Sequence, residues 1–184
     1  MPVSFNTVFV DENPEVINAL ASAFGRRFPD VVRFVMGNIF QHGPGMLVSP
    51  TNSRGEMSGG FDLQLACRFG TEFVQRVHTY IELHYGGILL IGQAVCVPTL
   101  DEVFPYVIFT PTVKSHLDLV EHAGDIREAA RAAFKLALEL NLQSKIRKID
   151  QLLVPGLGTG VAGLDAETAA REIVRGFSQA TMDV

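Results

Sequence analysis

Two glycine-rich runs hold the residues best suited to chemistry. The first is PTNSRGEMSGGFD, residues 50–62, and the second is PGLGTGVAG, residues 155–163. Each follows an apolar, β-prone run and leads into a helical one. In that setting glycine lets the backbone approach a ligand closely, and successive N–H groups together with the helix N-terminus favour a phosphate. Two such loops can clasp a diphosphate from both sides. Asp62 stands directly behind Gly59 and Gly60. Its carboxylate reads either as an acid–base group or as a charge that favours the first turn of a helix. Asn52 reads either as a ligand contact or as a turn former.

Other chemistries are weaker. Gly158, Gly160 and Gly163 match G-x-G-x-x-G, but a dinucleotide fold of that type needs an acidic residue about 20 positions on, at the end of another strand. No strand is expected after the last helix. No Gly-Lys-Ser/Thr follows either loop, which excludes the P-loop reading. The serines and threonines lack an elbow motif and an ordered His/Asp partner, which argues against a nucleophilic triad. His42, His78, His116 and His122 show no ligand spacing. Cys67 and Cys96, the two cysteines, read as buried reduced thiols. No metal and no cofactor is therefore expected. Net charge is −5 with 19% charged residues, which argues against nucleic acid as a partner. No stretch reaches the length of a membrane span, and the start lacks a signal-peptide pattern. The expectation is a cytoplasmic protein without a membrane partner.

The elements that must position these loops follow from periodicity. Strands are expected at 3–10, 31–36, 46–49, 94–98, 106–111 and 151–154. Asn13 can cap a first helix with Pro14 at its first position, Val16, Leu20 and Phe24 on its inner face, and Gly25 at its end. Helices are also expected at 61–68, at 71–84 with Phe73, Val77, Tyr80, Ile81 and a packed or half-buried His84 on one face, and at 126–140. Asp165 can cap a last helix reaching about Gln179, with a frayed tail beyond. Strands and helices alternate, the α/β pattern, and 184 residues with 47% hydrophobic content suit one domain over 1–184.

The ordered set Gly37-Asn38-Ile39, Leu47-Val48-Ser49-Pro50-Thr51-Asn52, Gly59-Gly60-Phe61-Asp62, Gly70, Gly92-Gln93-Ala94, Tyr106-Val107-Ile108 and Pro155 to Gly163 resembles the macro-domain signature. The resemblance runs from about Val31 to Gln179. It implies a three-layer αβα sandwich with a mixed, mostly parallel central sheet. It also implies binding of ADP-ribose or a related nucleotide, free or on an ADP-ribosylated protein. The activities it implies are hydrolysis of an ADP-ribosyl linkage or, alternatively, an ADP-ribose 1″-phosphate phosphatase. A non-catalytic reader or structural module is the third alternative. By match, Asn38 and Ile39 belong to the adenine site, Asn52 to the distal ribose, and Gly59 and Gly60 to the loop beside it. Asp62 matches the acidic residue near the scissile bond. Gly158, Thr159, Gly160, Val161 and Ala162 form the diphosphate loop. Asn38 stands where the family has aspartate, and its amide oxygen is expected to accept the adenine amine in its place; a plain turn is the other reading. Ser49 replaces the first asparagine of a paired motif, and Ala162 replaces an aromatic.

Overall fold

The computed structural model describes residues 5–25, 27–115, 117–143 and 148–183. Residues 3 and 4 of the expected first strand and His116 lie outside them. Six strands form one sheet: β1 (Asn6–Asp11), β2 (Val32–Met36), β3 (Met46–Asn52), β4 (Val95–Pro98), β5 (Tyr106–Val113) and β6 (Gln151–Val154). Their spatial order is β2-β1-β6-β3-β5-β4, and all neighbours are parallel except β4 with β5. Side chains alternate across the sheet as the period of two requires. Phe9, Met46, Val48, Ile108, Leu152 and Val154 enter the core beneath α1 (Pro14–Phe24), α4 (Ala123–Leu142) and α5 (Ala166–Met182). Val8, Val10, Leu47, Val107, Phe109 and Leu153 enter the opposite core, beneath α2 (Gly60–Phe69) and α3 (Thr71–Tyr85). The result is a three-layer α/β sandwich in which both sheet faces are apolar, as buried parallel strands demand.

The caps follow local chemistry. Asn13 Oδ1 accepts from Glu15 N at 2.9 Å with Pro14 in the first turn, and Asp165 Oδ1 accepts from Thr168 N at 2.8 Å. The structure corrects several expectations. The third strand extends to Asn52 instead of ending at Ser49, through Pro50. β6 pairs with β3 at Met46 and Leu47, whereas β5 stays paired as far as Asn52. Beyond Leu47 one edge of β3 is therefore open, where a proline without an N–H is tolerated. The last helix runs to Met182, past the expected fraying point, because Phe177 and Ala180 are still buried against the core. His84 is exposed in the final turn of α3, beside the Tyr80 ring. Cys67 is exposed as well, on the outer side of α2, whereas Cys96 is half-buried and burial pushes its thiol up to about 12. No helix among the described residues is long and apolar enough to cross a membrane.

Candidate functional site

The carboxyl ends of β1, β2, β3, β5 and β6 open into one cleft of about 360 Å³. That size is within the range of small-ligand sites. Its position obeys the rule for open α/β sheets: the chain crosses from β1 outward to β2, and then returns to the other side of β6 for β3. The sequence-predicted residues Asn38, Ile39, Asn52, Gly59, Gly60, Asp62, Gly158, Thr159, Gly160, Val161 and Ala162 all line this cleft.

Asp62 occupies the first turn of α2, packed against β3. Ser49 and Thr51 project from the same face of β3, two residues apart, and both reach it. Ser49 Oγ donates to Oδ1 and Thr51 Oγ1 donates to Oδ2, each at 2.6 Å. The residue is 4% exposed. Burial raises its pKa to about 6, against the lowering effect of the two hydroxyls. The serine that departs from the paired-asparagine pattern thus serves as a donor to the carboxylate.

Asn52 folds its own loop. Its Oδ1 accepts from Arg54 N at 3.0 Å and Glu56 N at 3.2 Å, and its Nδ2 donates to the Glu56 carbonyl at 3.2 Å. The turn-forming reading is therefore physically present, and one Nδ2 proton is left over. Asn38 caps a short 3₁₀ turn, Ile39–Gln41, by accepting from Phe40 N at 2.9 Å. The turn-forming reading of Asn38 is therefore physically present as well. The oxygen keeps a second lone pair, and Nδ2 is the other end of the amide.

The second loop is fixed from behind. Gly158 has φ +77°, and a Cβ there would strike the Ile126 side chain of α4. Gly160, by contrast, has nothing within 4 Å of its Cβ position, so that face of the loop is open. Val120 N donates to the Ala162 carbonyl at 3.0 Å, tying the loop to the segment between β5 and α4. Asp11, at the end of β1, reads in the sequence only as part of the helix start with Asn13 and Pro14. Its Oδ1 accepts from Asn13 N at 2.8 Å and its Oδ2 from Gly156 N at 3.0 Å. The short Asp-x-Asn-Pro turn was visible; the partner 145 residues away was not. Among the described residues, the cleft is lined by Asp11, Glu12, Glu56, Asp62 and Asp118 but by no Lys, Arg or His. An anion held here meets backbone N–H groups, helix N-termini and neutral side-chain donors such as Thr159 and Asn52. No group of three or more His, Cys, Asp or Glu side chains among the described residues is arranged to hold a metal.

Comparison with known proteins gives the same architecture. The family model described as Macro domain matches residues 48–173. A protein of Aquifex aeolicus (strain VF5) is 32% identical over 143 residues, which is 78% of this chain and 78% of that protein. The solved macrodomain of Mycobacterium tuberculosis DarG is 25% identical with a TM-score of 0.61, covering 78% of this chain and 87% of that one. A Trypanosoma brucei macrodomain in complex with ADP-ribose superposes with a TM-score of 0.61 at 17% identity, covering 80% of this chain and 56% of that one. With the fold, the cleft and the matched segment in agreement, the chain belongs to the macro domain family.

Proposed function

We propose that the cleft binds ADP-ribose or a derivative of it, and that residues 1–184 act as one such domain. The observation that carries this reading is the pair of glycine-rich loops facing one another at strand ends in a cleft that, among the described residues, has no cationic side chain. A diphosphate fits the backbone N–H groups of residues 158–162 and the N-terminus of α2 at Gly59 and Gly60. The remaining Nδ2 proton of Asn52 suits a hydroxyl of the distal sugar. The complex of the Trypanosoma brucei macrodomain with ADP-ribose supports the same ligand class. ADP-ribose at 100 times its dissociation constant should stabilise the fold by about 2.7 kcal/mol, read as a rise of several degrees in melting temperature. No shift at millimolar ADP-ribose contradicts the reading and favours a structural module.

A second step is favoured by the state of Asp62. A buried carboxylate with a pKa of about 6 suits a general base near neutral pH. In this proposal Asp62 takes a proton from water, the water oxygen bonds to the anomeric carbon, and the bond from that carbon to the acceptor breaks. The acceptor leaves with the electron pair and is protonated in turn. Asp62→Ala should slow release of ADP-ribose from a mono-ADP-ribosylated protein by on the order of 10²–10⁴ while costing little ADP-ribose affinity. Binding without release of ADP-ribose or, from ADP-ribose 1″-phosphate, of phosphate makes the domain a reader. Phosphate release alone makes it a phosphatase.

A further inference from the structure

The carboxylate of Asp62 meets one hydroxyl beside the cleft and one behind it. Thr51 lines the cleft together with Asp62, whereas Ser49 lies deeper, fully buried and outside the cleft wall. The strand holds Ser49 rigidly, because its backbone sits in the β3–β5 ladder opposite Phe109, itself fully buried. Its hydroxyl donates to Asp62 Oδ1 at 2.6 Å, and this is its one partner among the described residues. The two hydroxyls donate one to each carboxylate oxygen. That arrangement complements the ionised form, since a protonated carboxyl would force one of them to turn and accept.

We propose that Ser49 is a positioning residue for the reaction at Asp62: from behind the cleft it keeps the carboxylate aimed and charged without touching the ligand. The inference rests on the hydrolytic reading above, in which Asp62 takes the proton of the attacking water. Burial works against that role by favouring the neutral acid, and the Ser49 hydroxyl comes ahead of Thr51 among the groups that oppose burial. No charged side chain adds to either effect. β3 and the loop of residues 155–163 carry no charge. Arg68, the other charged residue of α2, lies against the rings of Phe40, Phe69 and Phe104. Arg54, in the loop before α2, is exposed. From α3, Arg76 donates to the Pro98 carbonyl at 3.1 Å and the His78 ring pairs with the Gly55 carbonyl at 3.0 Å. The other carboxylates of the cleft are Asp11, Glu12, Glu56 and Asp118.

The test is a double-mutant cycle on the whole chain: the parent, Ser49→Ala, Asp62→Ala and the doubly substituted protein. Release of ADP-ribose from a mono-ADP-ribosylated protein is followed from pH 5 to pH 8.5, with melting temperature and ADP-ribose affinity measured for each protein. Loss of a hydrogen bond to a charged group moves a carboxyl titration up by about 1–2 on the pH scale. Ser49→Ala should therefore be slower than the parent by roughly 10-fold or more at pH 5, and approach it at pH 8.5, because Thr51 still holds Oδ2. Its affinity for ADP-ribose should match the parent's. With Asp62 already replaced by alanine, Ser49→Ala should change nothing further. Ser49→Cys keeps nearly the same volume with a weaker donor; it should move the profile in the same direction, and it serves where the alanine variant does not fold. An unmoved pH profile, an equal loss at every pH, or the same loss without Asp62 overturns the inference, since the last two mark packing alone. A parent protein that binds ADP-ribose but releases none at any pH sinks the hydrolytic reading, and the inference falls with it.

Discussion

Burying Asp62 against β3 places a carboxylate where its charged form is disfavoured, and this has a measurable sign. Its folded pKa of about 6 lies above the ordinary 3.8, so the folded state prefers the protonated acid. Well below pH 4 the group is neutral in both states and destabilises nothing. Between about pH 4 and pH 6 the unfolded chain ionises while the folded protein holds its proton, so stability falls, and the loss is complete once the folded carboxyl ionises above about 6. The shift corresponds to about 3 kcal/mol when complete. Asp62→Asn removes the ionisation, and the Ser49 and Thr51 hydroxyls can rotate to meet the amide. Melting temperatures of the two proteins at pH 4 and pH 8 give the check: the advantage of the variant should be larger at pH 8. An equal gap at both values means Asp62 is not held as an acid.

The elements around the cleft were legible because each carries a local signal. Asn13-Pro14 and Asp165 announce helix starts, and the stripe Ile126, Ala130, Ala133, Phe134, Ala137 announces a buried helix face, all of it buried here. The glycines announced two loops at strand ends. What each glycine is for was not legible, because that depends on contacts across the chain. Gly158 and Gly160 are two residues apart and look alike in sequence. One is pressed against Ile126 of α4 at positive φ and the other faces open space. Gly158→Ala should therefore destabilise the protein by about 1–3 kcal/mol through overpacking, with strain at φ +77° adding to it, measured as a lowered denaturant midpoint. A midpoint unchanged from the parent protein means Ile126 yields freely. The third strand shows the same limit. The polar, glycine-rich run from Pro50 reads as loop, and the sheet order, which leaves that edge unpaired by β6 while β5 stays paired, explains why the strand continues to Asn52.

At the scale of the molecule, the sheet order brings together loops that are far apart in sequence. Asp11 and Gly156 meet because β1 and β6 are parallel neighbours, and the two glycine loops face each other because β6 lies between β1 and β3. Alternation of strands and helices gave the α/β class, but nothing local in the chain specifies β2-β1-β6-β3-β5-β4.

The central claim is that a diphosphate-containing nucleotide is held by backbone amides of the second glycine loop. Gly160 tests it most directly, since its open face leaves room for a side chain without disturbing the core. Calorimetry with ADP-ribose on the parent protein and on Gly160→Glu, with melting temperatures to show that both are folded, is the measurement. The account predicts binding by the parent and its loss in a variant that melts within a few degrees of it, because the carboxylate brings bulk and like charge to the phosphate seat. Undiminished binding by the folded variant would contradict it.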